Sequence, residues 1–90
     1  MILSIWTDMF LHKYLIRVDD PDEPIEKIRT AMQPYLHGYQ GDVYYYSIDQ
    51  DSYLDPDQSL YENMIGMNEQ IVMITEPEIL ERGLPVPQAM

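Results

Sequence analysis

Ninety residues carry sixteen Asp and Glu against five Lys and Arg, a net charge of −11, with no cysteine. A chain of this size forms one domain that removes roughly 60–65% of its unfolded surface from water, which leaves little room for a deep, enclosed active site. The charge repels nucleic acid and anionic membrane and attracts basic surfaces, and the missing cysteines exclude disulfides, thiolate catalysis and Cys-based metal sites.

The N-terminal run "MILSIWTDMF" lacks a basic leader region, and no apolar stretch approaches the roughly eighteen residues of a membrane span. A cytoplasmic location is the resulting expectation. Residues 2–6 and 9–18 fail a helical test because their apolar positions spread around the wheel. Read with period two, the second run sets Phe10, His12, Tyr14, Ile16 and Val18 against Leu11, Lys13, Leu15 and Arg17. That alternation suits a strand, either one long bent strand with the first run or a hairpin turning near Thr7-Asp8.

Pro21 and Pro24 in "DDPDEP" end the strand, and the acids there suit the start of a helix. Ile25, Ile28, Met32 and Tyr35 recur at spacings of three and four, which predicts a helix over 23–33 that ends at Pro34 and the glycines of "HGYQG". "DVYYYSI" (42–48) has strand composition, with Val43, Tyr45 and Ser47 on one face and Tyr44, Tyr46 and Ile48 on the other. "DQDSYLDPD" reads as a loop and "PDQSLYENMIG" as a short helix closed by Gly66. "EQIVMIT" is a strand buried on both faces. "EPEILERG" makes a final helix with Pro77 early and Gly83 as its stop.

The predicted order is therefore ββαβαβ with a short last helix. This is an α+β domain over residues 1–83, with one or two helices on one face of a mostly antiparallel sheet of three to four strands. Residues 84–90 form an extended tail.

From Thr30 to Glu81 no Lys or Arg appears, while carboxylates and tyrosines accumulate. Asp49, Asp51, Asp55 and Asp57 have the look of a calcium loop. Counted from Asp49, however, position five is Tyr53, six is Leu54 and twelve is Leu60, where an EF-hand needs a ligand, a Gly and a Glu. His12 and His37 lie in unrelated contexts with no nucleophile or metal partner visible nearby, and no Gly-rich phosphate loop or hydrolase motif is present. No catalysis, cofactor or metal is expected.

Of the tyrosines, Tyr39, Tyr53 and Tyr61 sit among polar and acidic neighbours, where an exposed ring receives arginine well. The residues expected to bind a partner are Asp49, Asp51, Tyr53, Asp55, Asp57 and Glu62, with Asp42 and Glu69 behind them. The "DDPDE" run at 19–23 is the next choice. The expected function is a non-enzymatic binding protein that docks on a basic, nucleic-acid-binding protein. In its sharpest form it mimics nucleic acid, as inhibitors of restriction, CRISPR or transcription machinery in viruses of bacteria do. An immunity protein follows the same logic. The alternative, from another class, is an assembly module, a homodimer through the open sheet face, whose acidity serves solubility.

Overall fold

The computed structural model describes residues 1–66 and 69–85. Its strands are β1 (Ile2–Thr7), β2 (His12–Arg17), β3 (Val43–Ser47), β4 (Ser52–Tyr53) and β5 (Gln70–Thr75). Its helices are α1 (Lys27–Met32), continued by a 3-10 turn over Gln33–Tyr35, and α2 (Glu76–Arg82). The strands lie in the order β2-β1-β5-β3-β4. The α+β class stands, but the sheet has five strands rather than three or four and is mixed: β5 runs parallel to β1 and antiparallel to β3.

β5 takes the centre because its side chains are apolar on both faces, and Ile71, Val72, Met73 and Ile74 are all buried. One face of the sheet presents Leu3, Ile5, Tyr45, Ile71 and Met73 to Ile25, Ile28, Met32 and Leu36 of the α1 segment and to Leu54, Leu60 and Ile65 of the loop after β4. This aliphatic layer is the main core. At about 25 cal/mol per Å² of apolar surface withdrawn from water, it is the dominant favourable term in folding. On the other face, α2 folds back so that Ile79 and Leu84 meet Val72, Ile74, Tyr44, Tyr46, Tyr53, Trp6 and Met9. The carboxylate of Glu78 accepts hydrogen bonds from the Thr75 N–H (3.0 Å) and hydroxyl (2.8 Å) at the start of α2. Gly83, at φ 65°, closes the helix in a conformation that costs glycine nothing.

The first two runs form a hairpin. Asp8, Met9 and Phe10 all take positive φ (51°, 51° and 76°), which ends β1 at Thr7 and delays β2 to His12. Each such residue costs about 1–2 kcal/mol, and packing of Phe10 against Trp6, with ring centroids 5.6 Å apart, helps offset that cost. The period-two reading of β2 holds at Tyr14, Ile16 and Val18, which pack on the main core.

Four expectations need correction. The first helix starts at Lys27 rather than 23: Pro24 is held in an antiparallel bridge to Ser59, and the Ile25 and Glu26 N–H groups donate to the Gln58 and Pro56 carbonyls (3.0 and 3.3 Å), which ties this segment to the loop ahead of the helix. Tyr35 leaves the apolar stripe: the chain tightens into the 3-10 turn after Met32, and the ring stacks on Tyr14 at 4.2 Å, still 42% exposed. The helix expected over 57–66 is a sequence of turns. Ser59 is held in a bridge to Pro24, and Met64 turns left-handed at φ 61°, so only one turn has room to form. In the segment read as pure loop, Ser52 and Tyr53 pair with Ser47 and Tyr46 as β4.

Candidate functional site

The predicted acidic residues fall into two groups, with Asp42 apart from both, and several of their carboxylates hold the chain in place. In the β3–β4 turn, Asp49 Oδ2 accepts the Gln70 N–H (2.9 Å), fixing the start of β5. Asp51 accepts the Tyr46 hydroxyl. That hydrogen bond, with burial second, raises the Tyr46 phenol above its ordinary value. Glu69 is half-buried, and its Oε2 lies 3.4 Å from the Ser47 hydroxyl. Tyr53 is half-buried on the second face of the sheet. Its ring lies edge-on to Tyr46 and Tyr44, its hydroxyl donates to the Pro85 carbonyl (2.6 Å), and burial raises its pKa. Tyr39 likewise is bound, donating to the Asp42 carbonyl at 2.8 Å. Of the three tyrosines expected at the surface, Tyr61 stays open, at 77% exposure.

In the loop after β4, Asp55 Oδ1 accepts the Asp57 N–H (2.9 Å), an Asx turn that suits the Pro56 between them. Glu62 and Ser59 bond reciprocally, carboxylate to Ser59 N–H (3.0 Å) and hydroxyl to Glu62 N–H (2.9 Å). This is the capping-box arrangement, used here on a single turn. The Asn63 amide ties the loop to itself, donating to the Asp55 and Ser59 carbonyls at 3.0 and 2.9 Å. The exposed carboxylates of Asp57 and Asp42 accept no hydrogen bond among the described residues.

The loop's backbone is stitched to the segment before α1. Besides the bonds from Ile25 and Glu26, the Tyr61 N–H donates to the Pro21 carbonyl (3.2 Å), and Pro24 bridges Ser59. Beneath the seam Ile25 and Leu60 are sealed at 0% and 1% exposure. Two acid runs far apart in sequence therefore share one pole of the molecule: Asp19, Asp20, Asp22, Glu23 and Glu26 on one side, Asp55, Asp57 and Glu62 on the other, with Tyr61 at the join. Among the described residues, the one Lys or Arg ion pair is Arg17 with Asp19, at 3.0 Å. Asp49 and Asp51 belong to the separate β3–β4 turn, and Asp42 precedes β3, with its carbonyl accepting the Glu76 N–H.

Sequence reasoning set "DDPDE" second and left Tyr61 out of its chosen residues. The missing information was the Pro21–Glu26 to Pro56–Tyr61 pairing, which no local pattern announces. The histidines also come together unexpectedly: Asp8 Oδ2 lies 3.7 Å from His12 Nε2 and 3.5 Å from His37 Nε2. Among the described residues, no group of three or more His, Cys, Asp or Glu is placed to hold a metal ion, and no helix is long and apolar enough to cross a membrane.

No family model matches the sequence, and no curated protein matches it. Solved structures do. The chain is similar to a ubiquitin-like domain of an Arabidopsis thaliana protein, with TM-score 0.66 and 13% identity over 100% of this chain and 83% of that one. It is also similar to a ubiquitin-like protein from the hyperthermophilic archaeon Caldiarchaeum subterraneum, with TM-score 0.52 and 14% identity over 84% of this chain and 96% of that one. At this identity the likeness is one of fold: the chain has a ubiquitin-like architecture.

Proposed function

We propose that this domain is a non-enzymatic interaction module that docks its acidic pole on a basic surface of a partner protein. The observation that carries this reading is the stitching of two acid runs into one surface around exposed Tyr61. Folding needs Ile25 and Leu60 at that seam, and Asp19, Asp20, Asp55 and Glu62 serve local pairs and turns there, but Asp22, Glu23, Glu26 and Asp57 add exposed charge beyond those needs. Such a surface meets Lys and Arg through many contacts, each about 1 kcal/mol in water at contact distance and more where solvent is excluded. An open tyrosine offers an arginine both a ring face and a hydroxyl.

In the sharper form of the proposal, the partner is a nucleic-acid-binding protein whose phosphate-binding groove the pole occupies. Immobilised wild-type domain is expected to capture a basic protein from lysate at low salt, to release it steeply as salt rises, and to be displaced by that protein's own nucleic acid. Capture that ignores salt would contradict docking by charge. Capture that nucleic acid leaves untouched would contradict the mimicry.

A further inference from the structure

Two of the five basic residues stand unanswered in a chain with sixteen Asp and Glu. Arg17 pairs with Asp19, but Lys27 and Arg29 make no ion pair among the described residues, and Arg29 is half-buried. Helical spacing brings the two to one place. Ile25, Ile28 and Met32 turn into the core, while Glu26, Arg29, Thr30 and Gln33 follow at spacings of three and four along the neighbouring stripe. The Gln33 amide donates to the Tyr39 carbonyl (2.8 Å), which holds the loop at 38–40 beside this segment.

A groove of about 960 Å³ lies along the stripe, with Gly38 and Gln40 of that loop in its lining. Its volume is at the upper end of the roughly 300–1,000 Å³ of small-molecule sites. Lys27 and Arg29 both line it, Thr30 and Gln40 bring uncharged donors, Pro24 and Pro34 give apolar wall, and Glu26 is its one carboxylate. In the core behind, the Tyr45 hydroxyl is buried without a hydrogen-bond partner among the described residues, and the Arg29 and Glu26 charges both reach it. Unanswered donors therefore gather on this flank of α1.

We propose that this groove binds a small phosphate monoester, with Arg29 and Lys27 on the phosphate and the organic remainder along Pro24 and Pro34. Such a phosphate carries about −1.5 to −2 charge at pH 7, which matches two cations, whereas a single carboxylate answers one. The planar Arg29 fork takes two phosphate oxygens, and Lys27 meets the third as a point charge. Glu26 repels the phosphate and selects a remainder with hydroxyl groups, which donate to its carboxylate. The acidic pole opposes any anion, but salt confines that repulsion to about 8 Å at physiological ionic strength. The groove uses the cations that the pole lacks, and its occupation does not depend on a basic partner.

The test titrates isotope-labelled domain with inorganic phosphate, ribose 5-phosphate, ribose and gluconate at constant ionic strength, and follows the backbone amides and arginine Nε–H groups by NMR. Saturable shifts are expected at Arg29 Nε–H and at the amides of 26–33 and 38–40. Ribose 5-phosphate should bind more tightly than inorganic phosphate, and ribose should leave the spectrum unchanged. Arg29→Gln is expected to weaken ribose 5-phosphate about tenfold or more, Arg29→Lys less, because it keeps the charge and loses the fork, and exposed Lys27→Gln about threefold. Glu26→Gln should tighten inorganic phosphate about twofold or more. The amide spectrum of each free variant checks that the fold is kept, and the exposed Lys27 and Glu26 decide the matter if Arg29→Gln unfolds.

Shifts that grow without saturating, or that are as large at the Nε–H of Arg17 and Arg82 as at Arg29, would overturn a built site. So would unchanged binding in Arg29→Gln or in Lys27→Gln. Gluconate binding as tightly as ribose 5-phosphate overturns the phosphate assignment, and ribose 5-phosphate no tighter than inorganic phosphate overturns the place given to the organic remainder.

Discussion

The two faces of the sheet are closed by different chemistry. On one, aliphatic side chains from three strands meet α1 and the loop after β4, and Leu3, Ile5, Met32 and Ile71 have no measurable exposure. On the other, Tyr44, Tyr46, Tyr53 and Trp6 form a broad aromatic surface on which α2 sets one fully buried side chain, Ile79, with Leu84 half-buried beside it. The first face is a core that any folded version of this chain needs. The second is a thinner seal, and it absorbs tyrosines that look like partner-facing residues in the sequence. Once Tyr53 and Tyr39 are assigned to the fold, and Asp19, Asp20, Asp55 and Glu62 to local pairs and turns, exposed Tyr61, Asp22 and Asp57 remain without a hydrogen-bonding role for their side chains among the described residues.

Substitutions can break this contrast in graded steps. Leu3→Ala empties a site in the main core and is expected to lower unfolding free energy by about 2–5 kcal/mol in denaturant titrations. Tyr45 comes next. Its hydroxyl is buried and finds no hydrogen-bond partner among the described residues, and burial, opposed in part by the Arg29 charge, pushes its pKa from 10.0 up to about 12. The native state therefore keeps a proton that the unfolded chain has lost. The phenol's contribution is complete below pH 10, declines as pH rises from 10 to 12, and is gone above that. The loss is on the order of 2–3 kcal/mol. Tyr45→Phe should flatten this decline, and at neutral pH it should cost little, since it removes a buried polar group without a partner.

On the second face, Ile79→Ala is expected to cost about 2 kcal/mol, at the low end for such truncations. It should also red-shift the emission of Trp6, the sole tryptophan, whose indole N–H donates to Gln70 Oε1 at 2.9 Å. A red shift of equal size in Leu3→Ala below its unfolding transition would blur the separation of the two faces. The smallest effect belongs to the pole. Asp22→Lys and Asp57→Lys alter exposed carboxylates that accept no hydrogen bond among the described residues, and each should change stability by no more than about 0.5 kcal/mol.

Much of this fold was legible in local pattern. Period-two alternation located Tyr14, Ile16 and Val18, and the fully apolar "IVMI" marked the central strand. Pro77 and Gly83 bounded α2. What escaped was set by long-range pairing. The parallel contact of β5 with β1 leaves no trace in either segment. The helix pattern from 23 was overridden by the bridge between Pro24 and Ser59 and the backbone bonds beside it, which tie residues 24–26 to the loop after β4. The same pairing limited the legibility of the site. Asp55, Asp57 and Glu62 could be picked from their own neighbourhood, but their junction with Asp19–Glu23 depends on bonds between residues some thirty-five positions apart. Asp51 and Asp55, natural choices for charge reversal from sequence, bond to Tyr46 and to the Asp57 N–H. Asp22 and Asp57 are therefore the cleaner probes.

The central claim is that the two acid runs act as one surface toward one partner. The direct measurement is the affinity of the captured basic partner for wild-type domain, Asp22→Lys, Asp57→Lys and the double variant at fixed low salt. Each single reversal is expected to weaken binding about tenfold or more, and the double variant further still, with thermal stability unchanged. Weakening by Asp57→Lys alone, with Asp22→Lys binding like wild type, would contradict the joined pole and return the interface to a single loop.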